Sequence, residues 1–446
     1  MKIGFKIRKI FQTGDVDFSQ VIYHSAYAFV VLGTAIGLQF FFDLLLARSF
    51  GAEGAGIFYL SLSILSIASL LSRLGLERSI VRFLAPLNSN EMWLEANGLI
   101  KTVILFTSTA ATIISIVVCL MAPVFAESVF FDARLTSFIR IFALAVLPFS
   151  LMYVYAGILK GLKLVRESLI VERVIVYLGG IASIFTLGMY LGLSGVLWGF
   201  LFSSCLAVLI GRFFAKKKIP KTGSSSVSFD NRRLFASSIP LLLVSFSNLM
   251  FGQVNVLVLG VLSTVNEVGI FNITFKISMV IGLTLVAINS ISAAKISELY
   301  FARIDLQSLA SKIAGFAFLL SLPVFAVMVV FPKLVLVLFG DDFVAGSTAL
   351  ILLAVGQLLS VATGSTGTLL AMTGYEKTLA LIIGFSVILN TILSILLIPI
   401  FGILGAACAV ALSMVVSNII QVYYVKRYLD IWSLPFKAVM AWLRIV

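Results

Sequence analysis

Two residues of opposite charge, Lys276 and Asp43, lie inside long apolar stretches of this 446-residue sequence. A charged side chain among apolar residues is costly, so each of them needs a partner of opposite charge or a water-filled cavity. The ammonium group of a lysine is well suited to bind an anionic group such as phosphate. We therefore predict that Lys276 lines a cavity. Asp43 is expected to pair with Lys276 or Arg48 when the cavity is empty, or to take up a coupling cation.

Four further residues are candidates for binding a substrate. Arg48 lies at the end of the first apolar stretch, and Arg78 lies in the basic segment that follows the second. Asn248 and Asn255 share one face of a helix, because seven positions correspond to two helical turns. We predict that these four residues bind the substrate together with Lys276. For the two asparagines, hydrogen bonding between neighbouring helices is the structural alternative.

The sequence lacks the motifs of enzymes that bind nucleotides or form covalent intermediates. It has no Walker loop, no GxGxxG after a strand and no nucleophile elbow. The single histidine, His24, cannot build a metal site, and the three cysteines stand apart within apolar stretches at Cys119, Cys205 and Cys408. We accordingly expect no catalytic residues, no metal site and no cofactor, and any transport would not be powered by ATP on this chain.

Composition indicates which elements position these residues. Hydrophobic residues make up 61% of the chain and charged residues 11%, whereas an ordinary soluble domain has about 25% charged residues. The apolar stretches have the length of about 20 residues that lets an α-helix cross a hydrocarbon core of about 30 Å. We predict an all-α integral membrane protein with about twelve spans, which cover residues 21–46, 54–72, 99–121, 137–158, 169–190, 194–213, 237–262, 267–291, 312–332, 345–370, 378–399 and 404–425.

The distribution of lysine and arginine predicts the orientation of these spans. Loops on the side of the N-terminus are rich in both residues, whereas the opposite loops carry only Arg48, Arg134, Arg140 and Lys333. Because basic loops are retained in the cytoplasm, both termini are expected there. The net charge of +13 is then mainly a signal of topology. No nucleic-acid binding is expected, since the chain has no folded basic domain.

The two halves of the chain repeat one pattern. Residues 56–58 (Gly-Ile-Phe) open span 2, and residues 269–271 (Gly-Ile-Phe) open span 8. Because six spans separate the two positions, the second half enters the membrane in the same orientation as the first. This is the parallel-repeat arrangement of many secondary transporters, in which the substrate lies between two lobes near the membrane midplane.

This repeat divides the chain into five parts. A short basic segment of amphipathic pattern precedes span 1 and is suited to lie on an anionic membrane surface. A basic, serine-rich connector separates the two lobes, and a tail with aromatic and basic residues follows span 12. The predicted parts are the cytoplasmic N-terminal segment 1–20, the N-terminal lobe 21–213, the cytoplasmic connector 214–236, the C-terminal lobe 237–425 and the interfacial tail 426–446.

Three stretches of the sequence carry a family resemblance. They are residues 45–58 (LLARSFGAEGAGIF) between spans 1 and 2, residues 74–76 (LGL) after span 2, and residues 267–271 (EVGIF) at the start of span 8. The chain resembles the polysaccharide-type flippases of the MATE-like superfamily, which move undecaprenyl-pyrophosphate-linked oligosaccharides across bacterial inner membranes. The resemblance implies a two-lobed, V-shaped transporter with a central basic cavity lined by charges from spans 1, 2 and 8. The positions in this sequence that match are Asp43, Arg48, Arg78 and Lys276.

The resemblance also implies a location and partners. It places the chain as a multi-pass protein in the cytoplasmic (inner) membrane of a bacterium or archaeon, with a role in the biosynthesis of a surface polysaccharide such as the O-antigen of lipopolysaccharide or an exopolysaccharide. The expected partners are the lipid-linked oligosaccharide, membrane lipids and a coupling cation, H⁺ or Na⁺.

Other functions remain open at this point. A cation-coupled exporter of drugs or small metabolites would have the same fold, but such exporters usually hold acids deep in the membrane, and Asp43 is the only acid clearly within a span. A major-facilitator transporter would carry a Gly-rich loop with Asp and Arg between spans 2 and 3, which is missing. A membrane glycosyl polymerase or ligase would need a large outer loop with catalytic residues.

Alternating access between two lobes is the expected mechanism, with bending points at proline or glycine within the spans. The candidates are Pro148, Pro240, Pro323, Gly356 and Gly364.

Overall fold

The computed structural model describes residues 16–220, 230–302 and 305–433. Residues 1–15 of the predicted segment 1–20, the middle of the connector 214–236 and most of the tail 426–446 lie outside the described residues. In the described residues, the helix of span 6 continues to Lys218 and the helix of span 7 begins at Asn231. Both helices therefore extend into the predicted connector. The side chain of Asp230 caps span 7 by accepting hydrogen bonds from the backbone N–H groups of Arg232 and Arg233.

All regular elements in the described ranges are helical, and most spans consist of one helix. Spans 1 and 2 are two helices that meet at Gly51 within the segment Val16–Arg73. Span 8 also consists of two helices, and shorter helices continue or connect several spans. The bounds in chain order are Val16–Arg73, Leu76–Ser89, Trp93–Pro123, Val124–Val129 (π), Leu135–Gly161, Val165–Leu169, Ile170–Val174 (π), Ile175–Phe185, Leu187–Leu191, Leu193–Lys218, Asn231–Leu262, Val265–Ser278, Val280–Phe301, Gln307–Val330, Pro332–Val337, Asp341–Gly346 (3₁₀), Ser347–Ala362, Thr366–Met372, Glu376–Phe401 and Ile403–Leu429.

The chain reverses direction at Gly51, between the two helices of the segment Val16–Arg73. The φ of 66° and ψ of −172° of Gly51 are not helical. Such a positive φ favours glycine, because glycine has no Cβ. The hydroxyl of Tyr59 lies 2.7 Å from Oδ1 of Asp43, 16 positions away, whereas a straight helix would separate them by about 24 Å. Residues 16–50 (span 1) and 52–73 (span 2) therefore run antiparallel.

The number of membrane spans follows from this reversal. Within the described ranges, ten helices are long and apolar enough to cross a membrane, and the bent pair Val265–Ser278 and Val280–Asn289 adds an eleventh. Division of the first helix at Gly51 brings the spans in those ranges to twelve. The chain is thus a multi-pass membrane protein with the predicted six spans in each half.

An aromatic cluster forms the centre of the N-terminal lobe. Phe42 of span 1, Phe58 of span 2, Phe142 of span 4 and Phe200 of span 6 pack with ring centroids 5.4–6.2 Å apart. All four side chains are buried. Aromatic pairs at these separations add to the stability gained from burial alone. The cluster holds spans 1 and 2 in a fixed relative position, which matters because the next residues, Asp43 and Tyr59, are polar.

The two lobes meet through glycines at the end of the molecule where the turns between spans 1 and 2 and between spans 7 and 8 lie, here called the turn end. A Cβ added to Gly56 of span 2 would overlap the backbone carbonyl of Val265, and one added to Gly269 of span 8 would overlap that of Ala52. Small residues allow such close helix approach in membranes. The two contacts are reciprocal, as expected for repeat-related glycines around an axis along the membrane normal.

Further contacts join the lobes away from these glycines. The hydroxyl of Ser63 in span 2 donates a hydrogen bond to Oε1 of Gln253 in span 7 at 2.6 Å. Beyond span 2, the hydroxyl of Ser79 lies 3.0 Å from that of Ser237 and 2.8 Å from that of Ser238. Span 7 therefore lies against the N-terminal lobe over much of its length.

A charged cluster at the turn end links two loops of the N-terminal lobe. The guanidinium of Arg134, before span 4, contacts Glu53 at 2.7 Å and donates to both carboxylate oxygens of Asp132 at 2.9 and 2.8 Å. These hydrogen bonds lower the pKa of the Asp132 carboxyl. The cluster ties the turn after span 1 to the loop before span 4.

The predicted bending points differ in their local structure, and bending at the prolines stays a prediction. Helices continue through the three prolines, and Gly356 packs closely against Ala411 of span 12. Gly364, with a φ of 73°, does end the first helix of span 10. An unpredicted bend of 43° at Met279 divides span 8. The three prolines inside helices are Pro148, Pro240 and Pro323.

Candidate functional site

Asp43, Tyr59 and Lys276 form one polar group between the lobes. Nζ of Lys276 lies 2.9 Å from each carboxylate oxygen of Asp43. The Tyr59 hydroxyl donates to Oδ1 of Asp43 at 2.7 Å. The ammonium of Lys276 also lies 4.3 Å from the centre of the Tyr59 ring, a distance typical of a cation–π interaction. Spans 1 and 2 of one lobe are therefore joined to span 8 of the other by a charged contact.

The group lies deep in the membrane-spanning part of the protein. Asp43 is eight positions before the reversal at Gly51, and Lys276 is eleven positions after the start of span 8 at Val265. At 1.5 Å per residue this places both about 12–17 Å from the turn end. A hydrocarbon core of about 30 Å then puts the ion pair near the midplane, where an unpaired charge would cost about 2.5–3.5 kcal/mol or more.

Burial is unequal within this group. The side chains of Asp43 and Tyr59 are almost completely buried, whereas that of Lys276 is 26% exposed. Two of the three N–H donors of the ammonium are directed at Asp43. The cation is therefore the more accessible of the two charged groups.

Span 8 itself is shaped around Lys276. Its first helix, Val265–Ser278, ends two residues after the lysine, and the chain bends at Met279. Nearly all other side chains of this helix are buried, among them Phe271 and Phe275 with stacked rings. A movement about the bend would shift the second half of span 8 relative to the lysine, which makes Met279 a candidate hinge.

The two arginines predicted to bind the substrate lie elsewhere. Nε of Arg48 donates to the backbone carbonyl of Leu338 in the other lobe at 2.7 Å, so it contributes to the contact at the turn end. Arg78 is exposed on the helix Leu76–Ser89, beyond the opposite end of span 2 and about 20 Å or more from Tyr59 at 1.5 Å per residue. The structure does not bring either arginine to Lys276, and their binding role stays a prediction.

The two asparagines of span 7 have different surroundings. Asn255 is buried, and its Oδ1 accepts a hydrogen bond from Ser394 of span 11 at 2.8 Å. This is a hydrogen bond between neighbouring helices, the structural alternative to substrate binding. Asn248 is exposed and lines an open cavity formed by helices of the C-terminal lobe. Their role in substrate binding is not tested by these contacts.

Tyr59 is the residue of this site that sequence reasoning missed. The signal was weak, because a tyrosine within an apolar span is usually a packing residue with one polar atom. Its position three residues after Gly56 places it on the side of span 2 close to the lobe contact. Only the reversal at Gly51 brings it next to Asp43.

We expect Tyr59→Phe to destabilise the protein while preserving the ring beneath Lys276. Loss of a hydrogen bond to a charged group costs about 1.5–3 kcal/mol, so the melting temperature in detergent should fall. Tyr59→Leu should lower it further, since a cation–π contact contributes about 0.5–2 kcal/mol. Tyr190→Phe is the control, because Tyr190 is 88% exposed. Equal melting temperatures for Tyr59→Phe and Tyr190→Phe would contradict the assigned hydrogen bond.

Comparison with solved structures defines the fold. The chain aligns with a structure of the lipid II flippase MurJ in an inward closed conformation with a TM-score of 0.75, at 16% identity, covering 90% of this chain and 87% of that one. An inward-facing multidrug resistance MATE family transporter of the MOP superfamily aligns with a TM-score of 0.66, at 16% identity, covering 90% and 98%. The predicted MATE-like fold is confirmed.

The family follows from the sequence. The model of the family described as polysaccharide biosynthesis protein matches residues 24–294, and the chain belongs to this family. It is 26% identical over 408 residues to the probable low-salt glycan biosynthesis flippase Agl15 of Haloferax volcanii, covering 89% of this chain and 81% of that protein. The resemblance seen in residues 45–58, 74–76 and 267–271 is thereby confirmed.

Proposed function

We propose that this protein is a flippase that moves a polyprenyl-pyrophosphate-linked oligosaccharide from the cytoplasmic to the outer leaflet for the synthesis of a surface polysaccharide. The observation that carries the proposal is the Lys276–Asp43 ion pair between the two lobes, about 12–17 Å from the turn end. The polysaccharide biosynthesis family and the glycan flippase Agl15 support the same conclusion.

The geometry supports an exchange of anions at Lys276. In this structure the carboxylate of Asp43 holds the ammonium in place. A pyrophosphate carries more negative charge and more acceptor oxygens than a carboxylate, and it forms charge-assisted hydrogen bonds with lysine. Its arrival would loosen the contact between span 1 and span 8, while the polyprenyl chain stays in the lipid.

Loosening of this contact provides a physical link between substrate binding and alternating access. The ion pair joins the two lobes. When pyrophosphate takes the place of Asp43 at Lys276, the attraction that favours the conformation with the turn end closed is lost. Asp43, once released, becomes an unpaired carboxylate deep in the membrane and would favour a proton or Na⁺ as a partner. This is the proposed role of a coupling cation.

The orientation follows the distribution of positive charges. We place both termini in the cytoplasm, so the turn end with Gly51, Glu53 and Arg134 faces outward. The closed turn end then corresponds to a conformation in which the outer side is sealed. The proposed membrane is the cytoplasmic membrane of a bacterium or archaeon.

Reconstitution tests the function directly. Lipid-linked oligosaccharide extracted from the host of this protein is incorporated into proteoliposomes, and periodate, which crosses lipid vesicles slowly, is added outside to oxidise accessible glycan. Without protein only the glycan of the outer leaflet, about half, should react; with protein, nearly all should.

The same vesicles distinguish the exporter alternative. If the glycan stays half protected in the presence of the protein while a cationic dye is moved across the membrane, the flippase proposal is wrong. Vesicles containing heat-denatured protein control for leakage of periodate.

A further inference from the structure

A second polar site lies within the C-terminal lobe. Spans 7, 10, 11 and 12 line an open cavity of about 220 Å³, far larger than the ~10–15 Å³ that a single buried water needs. Its polar lining consists of amides and hydroxyls and contains no charged side chain. These polar residues are Asn248, Ser360, Ser386, Ser417, Asn418 and Gln421.

Several of the lining groups are available to a ligand. Within the described part of the chain, the side-chain amides of Asn248 and Asn418 form no hydrogen bond in this structure, and neither residue is fully buried. Gln421 is different, because its amide bonds Ser417 at 3.3 Å and Thr366 at 3.1 Å. Unpaired amides at membrane depth are costly unless water or a ligand satisfies them. Each amide offers both donors and an acceptor.

The lining also contains apolar groups suited to a ring. Phe251 of span 7 and Met414 of span 12 contribute to the same cavity. A sugar ring has hydroxyls around its edge and apolar C–H faces, so amides with an aromatic side chain match its chemistry better than they match a cation or a phosphate. The lack of charge in the lining argues against both of these ions.

Span 8 connects this cavity to the charged site. Gly282, six positions after Lys276, lies close to Gln357 of span 10, and Ser360 of the cavity is one turn further along span 10. The cavity residues of spans 7, 11 and 12 are about 15 positions from the turn end of their spans, or about 22 Å. They lie only slightly deeper than Lys276.

We propose that this cavity binds a neutral sugar ring of the lipid-linked oligosaccharide while Lys276 binds its pyrophosphate. The inference rests on the flippase function proposed above and adds a second subsite to it. Asn248 and Asn418 are the residues that distinguish a glycosylated carrier lipid from the bare carrier.

The test compares two lipid probes on the full-length protein by native mass spectrometry. One probe is the lipid-linked oligosaccharide extracted from the host, and the other is the polyprenyl pyrophosphate carrier that bears no glycan. Asn418→Leu and Asn248→Leu should each weaken binding of the glycosylated probe about 10-fold, as expected for loss of one or two ligand hydrogen bonds. Binding of the bare carrier should stay unchanged.

Two other variants complete the experiment. Asn90→Leu, at an exposed position after the helix Leu76–Ser89, should leave both probes unaffected, and melting temperatures report whether each variant is folded. Lys276→Gln should weaken both probes to a similar extent. If the cavity variants change neither probe, or both equally, the sugar site is wrong; if Lys276→Gln affects neither probe, the proposed pyrophosphate site fails instead.

Discussion

Lys276→Met is expected to reduce translocation of the lipid-linked oligosaccharide by about 100-fold, because truncation of a desolvated charge partner typically costs about 2–5 kcal/mol. Lys276 is the cation at the membrane midplane that bridges the two lobes, and its side chain is the most exposed of the three in the site. The measurement is the rate at which glycan becomes accessible to periodate in proteoliposomes. Lys276→Arg should retain part of the activity, since it keeps the charge.

Loss of activity alone would not separate a binding role from a structural one. Without Lys276, the carboxylate of Asp43 would be buried and unpaired, and breaking a buried pair costs about 3–5 kcal/mol. The double variant Asp43→Asn/Lys276→Met removes both charges and keeps an acceptor for the Tyr59 hydroxyl. We expect it to recover the melting temperature lost in Lys276→Met and to remain inactive.

The control for this series is Lys295→Met. Lys295 lies on the same span, is 53% exposed and pairs with Glu298 three positions away. Such a surface pair contributes about 0–1 kcal/mol, so the variant should be stable and active. Full translocation by the stable double variant would show that Lys276 does not bind the substrate.

The second prediction concerns the glycines that join the lobes. We expect Gly56→Val and Gly269→Val each to prevent closure of the turn end, because their side chains would overlap the carbonyls of Val265 and Ala52. An overpacked contact costs about 1–3 kcal/mol, which shifts the equilibrium between closed and open forms about 5–150-fold. Transport requires both forms in turn, so it should slow to a similar extent.

Electron paramagnetic resonance can measure this shift. After replacement of the native cysteines, spin labels are attached through Glu53→Cys in one lobe and Asp341→Cys in the other, both exposed at the turn end. Gly56→Val should move the distance distribution to longer values, and Gly269→Val should do the same because the two contacts are reciprocal. Gly252→Val is the matched control, since a Cβ at Gly252 meets nothing within 4 Å.

An unchanged distance distribution in both variants, with melting temperatures like that of the unmodified protein, would contradict the role of these glycines. A shift in only one variant would contradict the reciprocal contact. The melting temperatures distinguish both outcomes from unfolding.

Several properties of this protein could be predicted from the sequence because they depend on neighbouring residues. Apolar stretches of spanning length gave the twelve spans, and Gly-Ile-Phe at positions 56 and 269 revealed the repeat. Residues 45–58, 74–76 and 267–271 indicated the family. A lysine within a span indicated a site for an anion, because an isolated charge in hydrocarbon demands a partner whatever the fold.

The sequence predicted Lys276 or Arg48 as the partner of Asp43, and the tertiary structure decided between them in favour of Lys276. The Lys276–Asp43 contact joins positions 233 residues apart, and Tyr59 reaches Asp43 only because the chain reverses at Gly51. Arg48 contacts Leu338 instead of the buried pair. Hydropathy determines that a segment crosses the membrane, whereas the rotation of each helix and the approach of the lobes follow from side-chain packing, and these decide which polar groups share a site.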